Sequence, residues 1–307
     1  MNLSKNQRAV LYTLAYSAVF EYPLSVSEVF ARLIRLTQNA PSLHGVGEAI
    51  SSLCKSEHVS LVENHLAGYS ATQSLLEEHE QRRVNAEILR ESAAPLVFFL
   101  GCLPWVKGVG ITGSVAVNNA THSDDVDFLL IVSSGTLWFT RPLVVLFSFL
   151  QGKKRSRIGE TQKSWCFNLW LEEDRLHIPK DAWSLYTAYE VCQVFWLFDA
   201  DTVQRSFLES NSWVDTYLFN YRRVATLQRG ARSRTSLQKY VSVLLMLTFP
   251  LVLVLNPILY VLQLWYMRSH RTREKVSYSS AFFHPRNTRG IISRRWKECI
   301  LLLLKRQ

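Results

Sequence analysis

The chain has 307 residues, 48% of them hydrophobic, and 35 Lys/Arg against 25 Asp/Glu give a net charge of +10. That length suits two or three domains, and the hydrophobic share lies at the upper end for a soluble protein. Five scattered cysteines, Cys54, Cys102, Cys166, Cys192 and Cys299, exclude a disulfide framework and a spaced zinc set, and point to a reducing cytosol.

The charge is unevenly placed. Residues 1–95 sum to −2, residues 96–200 to −1 and residues 201–307 to +13. Any polyanionic partner should therefore meet the C-terminal third. The opening residues show no small-residue cleavage site after an apolar core, so no signal peptide is expected.

Residues 1–72 read as a small domain. Apolar residues from Lys5 to Val19 recur at helical spacing, and Glu21-Tyr22-Pro23 breaks the run. Ser25-x-x-Glu28 is a capping box that opens a second helix, Val26 to Arg35. A third helix is expected over Val46 to Lys55, then two short strands, Val59–Val62 and Leu66–Tyr69. Three helices followed by a hairpin resemble a winged helix. Its third helix, the usual major-groove element, carries only one Lys and one Glu. Affinity for DNA comes mostly from phosphate contacts by Lys and Arg, so DNA binding is not expected.

Residues 73–94 form a charged connecting helix with a solvated face, ended by Pro95. An apolar stretch, Leu96 to Leu103, then leads into the segment Gly108 to Ser134. That segment reads as strand (Val109–Thr112), tight turn (Gly113-Ser114), short helix, loop and a second strand, Val126–Val132. Asp125 and Asp127 are two apart, so both carboxylates point to one face, with Asp124 on the other. Paired acids on one face repel unless something positive lies between them, and hard carboxylate oxygens suit Mg²⁺. Gly113 lets the backbone approach a bulky ligand, and amides opening the helix at Ser114 would face a phosphate.

Gly113-Ser114, Ala116 and Asp125-Val126-Asp127 together resemble the glycine-serine and paired-aspartate signature of the DNA polymerase beta-like nucleotidyltransferase superfamily. The resemblance implies an α/β (α+β) fold, a mixed sheet flanked by helices, over residues 95–200. It implies Mg²⁺ (or Mn²⁺) held by Asp125 and Asp127 as metal-binding and catalytic residues, and a nucleoside triphosphate held at Gly113 and Ser114. The activity implied is transfer of a nucleoside monophosphate to an acceptor that the sequence does not name.

The next helix, over 136–151, carries one charge, Arg141, which either reaches back to the acids or a phosphate or lies at the surface. Gly152 to Arg157 is a basic loop. Ser164 to Leu171 alternates as a strand, with Phe167, Leu169 and Leu171 on one face and Cys166, Asn168 and Trp170 on the other. The superfamily often places a third carboxylate here; the position is Asn168. Glu172 lies four residues on, about 13 Å away at strand rise. A short strand is expected over Arg175–Ile178. A helix is expected over Ser184–Phe198, with Glu190 either the missing acid or, as favoured, a buried hydrogen-bond acceptor.

Residues 201–307 read as a basic helical region. Its 28 residues from Tyr240 to Met267 carry no charge, more than the roughly 20 needed to cross a bilayer. Pro250 and Asn256-Pro257 suit a kinked helix or helix pair, and basic residues on both flanks give no orientation signal. A helix pair packed on the transferase domain is expected, with membrane contact as the alternative to a purely cytoplasmic location. Three functions stay open: a Mg²⁺-dependent nucleotidyltransferase, a nucleotide-binding regulatory protein that keeps the fold without turnover, and a membrane-surface protein whose transferase domain modifies a lipid-linked or envelope acceptor. The N-terminal domain is expected to be separable.

Overall fold

A computed structural model describes residues 3–62, 65–67, 73–153, 163–227, 231–268, 275–283 and 288–305. Most of the basic loop Gly152–Arg157, the end of the expected strand at Tyr69, and Arg271 and Arg273 lie outside the described residues.

The N-terminal unit has α1 (Lys5–Ala18), β1 (Leu24–Ser25), α2 (Val26–Ala31), α3 (Leu43–Lys55), β2 (Ser60–Val62) and β3 (His65–Ala67). Its small antiparallel sheet has the order β1-β3-β2. The Ser25 capping box is present, with the Glu28 carboxylate accepting from the Ser25 amide at 2.9 Å. A second box, Ser4 with Gln7, opens α1.

Next come α4 (Gln73–Ser92), α5 (Ala94–Cys102), β4 (Val106–Thr112), α6 (Gly113–Ala116), β5 (Val126–Val132) and α7 (Leu137–Leu150). Pro95 ends no more than α4: it occupies the first turn of α5, where its missing N–H costs nothing. The chain continues through β6 (Trp165–Glu172), α8 (Leu185–Cys192), β7 (Phe195–Asp199), α9 (Val203–Ser210), α10 (Tyr221–Leu227), α11 (Ser236–Leu245) and α12 (Phe249–Arg268). It closes with β8 (Lys275–Val276), β9 (Ser280–Phe282) and α13 (Thr288–Leu304).

The main sheet is mixed, in the order β7-β4-β5-β6-β9-β8, and β5–β6 is its parallel pair. β5 is buried on both sides, which is why its sequence is a continuous apolar run. Phe128, Leu130 and Val132 face a layer that includes Leu96, Leu100, Trp138 and Val144 of α5 and α7. Leu129 and Ile131 face the opposite layer, which includes Val191, Phe207 and Ile292 of α8, α9 and α13.

Several expectations need correction. Arg175–Ile178 is irregular rather than a strand. The helix expected to reach Phe198 stops at Cys192, and Phe195–Asp199 becomes the edge strand β7, antiparallel to β4. Its aromatic residues favour a pleated surface once the helix has ended. The alternation in β6 is broken by a bulge opposite Phe128, between the pairs Asp127–Cys166 and Leu129–Leu169. Phe167 therefore joins Trp170 in the α5/α7 layer, while Leu169 packs in the other. Nor is the C-terminal region a separate helical unit, because β8 and β9 complete the main sheet.

The expected separability of the N-terminal unit also meets a physical obstacle. Ile300 and Leu303 of α13 are part of its core, with Trp296 packed beside them. The Trp296 indole donates to the Tyr12 carbonyl at 3.0 Å. Backbone bonds join Arg35 to Tyr217 and Phe219 to Leu33, and the Tyr189 hydroxyl donates to the Arg32 carbonyl at 2.7 Å. Cutting at residue 72 would strand these partners and uncover apolar surface on both pieces.

Candidate functional site

The turn after β4 is built around Gly113, whose φ is +70°. A Cβ added there would lie 3.1 Å from Asp127 Oδ2, so the bare backbone packs against the carboxylate. This follows from the antiparallel register that sets Thr112 opposite Asp127. Arg90 of α4 braces the far end of α6, donating to the Val115 carbonyl at 2.9 Å and to Asn118 Oδ1 at 2.7 Å. Asn118 lies at φ +60°, a conformation that asparagine adopts more readily than most residues.

Ser114 does not offer its hydroxyl to the cleft. It donates to Asp124 Oδ2 at 2.6 Å, and Asp124 also accepts from the Thr121 amide at 3.2 Å and from the Thr121 hydroxyl. Asp124 thus ties the turn to the loop at Thr121.

Asp125 and Asp127 lie on the row that Leu129 and Ile131 continue. Asp125 Oδ1 accepts from the Ser164 amide at 2.8 Å and its hydroxyl at 2.6 Å, at the start of β6. Asp127 Oδ1 accepts from the Asn168 amide nitrogen, which the bulge in β6 turns toward it. Asn168 thus stands at the side of the pair, as the resemblance implied, but as a neutral donor.

Arg141 is not near the acids. The acids sit at the start of β5, and α7 begins beyond its other end. The Arg141 guanidinium donates to Gln263 Oε1 at 2.7 Å and lies 4.6 Å over the Phe283 ring. Burial pulls its pKa down to about 10, and its bond to Gln263 joins α7 to α12. Glu172 likewise serves structure, accepting from the backbone amides that open α7.

Glu190 reaches the cleft from α8. Burial, and then the negative charge of Asp127, push its carboxyl up to about 7. Tyr186, one turn earlier on α8, is pushed up by burial and by the charges of Glu190 and Asp127. A cavity of about 230 Å³ is lined by Gly113, Ser114, Tyr186 and Glu190. An adjoining cavity of about 330 Å³ shares Tyr186 and Glu190 and adds Thr112, Lys275 and Arg289. Glu190 is thus buried within electrostatic reach of Asp127 and lines both cavities. Sequence had no means of pairing α8 with β5, and Lys275 and Arg289 come from the far end of the chain.

Among the described residues no group of three or more His, Cys, Asp or Glu side chains is arranged to hold a metal ion. The donor chemistry of Asp125 and Asp127 fits a Mg²⁺ whose remaining ligands come from triphosphate and water. It does not fit a cage built by protein alone.

The raised Glu190 carboxyl has a consequence for stability. Its contribution is full below its ordinary value of about 4.5 and is lost as pH rises through about 7. In chelating buffer, Glu190→Gln should exceed wild type in unfolding free energy at pH 8 by about 2 kcal/mol. The gap should shrink toward pH 5 in denaturant titrations. Equal stability at pH 8 would contradict this placement of Glu190.

Comparison with protein-family models, characterised proteins and solved structures finds no match to this chain.

Proposed function

We propose that the chain binds a nucleoside triphosphate with Mg²⁺ or Mn²⁺ in this cleft and transfers a nucleoside monophosphate to an acceptor. The observation that carries the reading is the Gly113 backbone at positive φ, pressed against the carboxylate of Asp127. A turn of that kind brings amides and a hard-oxygen donor to one point, which a metal-bound phosphate requires. On this reading Asp127 and Asp125 hold the ion, the amides of the Gly113-Ser114 turn hold the triphosphate, and Lys275 and Arg289 bring positive charge to the adjoining cavity. Tyr186 lines both cavities. The bound ion supplies neutralisation of the charge on the transferring phosphoryl group.

The fold is read here as the nucleotidyltransferase type, with a winged-helix-like N-terminal unit that serves as a wall of the cleft instead of a DNA reader. Tyr22 and Arg32 of that unit line the cavity beside Gly113. A second reading, nucleotide binding with little turnover, is favoured by the Asn168 amide beside Asp127. Two-ion catalysis needs ions roughly 3.5–4 Å apart, and a neutral amide is a poor ligand for the second.

The test is release of pyrophosphate and transfer of label from each α-labelled triphosphate in the presence of a cell extract. Wild type should be slow and Asn168→Asp faster. Binding without product from either protein would favour the second reading over the first.

A further inference from the structure

Residues 236–268 run as one helical rod, α11 and α12 joined by a 3₁₀ turn at Met246–Thr248. The sequence led to an expected helix pair buried on the domain. The rod lies against the domain through buried Val252 and partly buried Leu245, Phe249, Leu259, Tyr260 and Met267. Three polar side chains on the same side also point inward: Gln238 donates to the Phe98 carbonyl at 3.0 Å, and the wholly buried Asn256 accepts from the Phe139 amide at 3.0 Å. Gln263 donates to the Trp138 carbonyl at 2.7 Å and accepts from Arg141. Apolar side chains point outward, with Leu247 84% and Trp265 76% exposed and Tyr240, Leu251, Val254 and Val261 all more than half exposed. In its most apolar 18-residue window only 17% of residues are buried.

The surface extends beyond the rod. Phe98 of α5, which packs on α11, and Leu146, Phe149 and Leu150 of α7, which packs on α12, are exposed too. So many exposed apolar side chains on neighbouring helices mark an interaction site rather than ordinary surface.

We propose that this face docks on the surface of an anionic bilayer, with the rod lying in the membrane plane. Charge selects the occupant. The face is flanked along the chain by Lys239 and Arg268, both exposed. Anionic headgroups complement such a rim, whereas a second copy of the same face would set like charges together. Tyr240 at one end and Trp265 and Tyr266 at the other are the amphipathic aromatics that settle at headgroup depth. The in-plane orientation follows from Gln238, Asn256 and Gln263, which bond the rod to the folded domain along its length.

Flotation of the full chain with vesicles tests this. The chain should float with vesicles of phosphatidylglycerol and phosphatidylcholine, and less with phosphatidylcholine alone. Raising salt to about 1 M should weaken the first toward the second. The double variant Leu247→Glu/Trp265→Glu, changed only at exposed positions, should keep the wild-type circular dichroism and bind at least tenfold less. A folded wild type that stays in the aqueous phase with both vesicles would overturn the proposal. So would a dimer that the double variant dissociates without any vesicle binding by wild type, since a second copy would then cover the face. Pelleting that resists alkaline carbonate would place the rod across the bilayer and overturn the in-plane arrangement.

Discussion

Gly113→Val is expected to abolish Mg²⁺-dependent nucleotide binding, by at least about a hundredfold, equivalent to about 2.8 kcal/mol. Two effects act together. The native φ of +70° is strained for any residue with a Cβ and most of all for a branched one. The new Cβ would also lie 3.1 Å from Asp127 Oδ2, and the Val methyls closer to the carboxylate or to the phosphate position. Neither the carboxylate, bonded to Asn168, nor the backbone, paired through β4, moves freely to relieve this. Gly113→Ala should show the same defect in smaller measure. Titration with a fluorescent triphosphate reads both; wild-type affinity in the Val variant would mean that the ligand does not approach this turn.

Glu172→Ala is expected to remove about 2–4 kcal/mol of stability. The carboxylate is 3% exposed and accepts from the amides of Gly135 at 2.8 Å, Thr136 at 3.2 Å and Leu137 at 3.4 Å. These amides are among the unpaired donors at the start of α7, where a negative group is favoured. Burial pushes the Glu172 carboxyl up and the amides pull it back, so its charge is costly unless those bonds are made. Alanine would leave the Leu137 amide buried without this acceptor and the Thr136 amide with only its 3.2 Å bond to the Ser133 carbonyl, beside a cavity. Glu172→Gln keeps an acceptor and should cost about 1 kcal/mol. Denaturant unfolding decides the matter; a loss under about 0.5 kcal/mol for the alanine variant would show that the capping bonds matter little.

The parts of the fold that were legible in the sequence are those where one local signal suffices. β5 begins and ends where the apolar run does, Val126 to Val132, because both its faces are covered. The turn at Gly113 and the caps at Ser25 and Glu28 are chemistry within a few residues of chain. The site was half legible for the same reason: Asp127, Gly113 and the position of Asn168 follow from strand alternation and spacing. What failed depended on how elements pack. Helical periodicity in α8 does not tell which turn meets β5, so the nearness of Glu190 to Asp127 was not legible. The polarity of α7 does not tell that Arg141 starts at the wrong end of the sheet. β8 and β9 are two and three residues long, too short for a period to register. An apolar run reads alike whether it is buried or exposed, and the exposure of Leu247 and Trp265 beside the inward aim of Asn256 and Gln263 emerges only from the packing of 236–268.

The central claim is that Asp127 and the Gly113 turn form one metal-dependent nucleotide site. Titration calorimetry of the full chain with a nucleoside triphosphate tests it most directly, run with Mg²⁺ and with EDTA, on wild type and on Asp127→Ala. Wild type should give binding heat with Mg²⁺ and little with EDTA, and Asp127→Ala should give little in either. Binding of the Mg²⁺-nucleotide by Asp127→Ala with wild-type affinity would contradict the account.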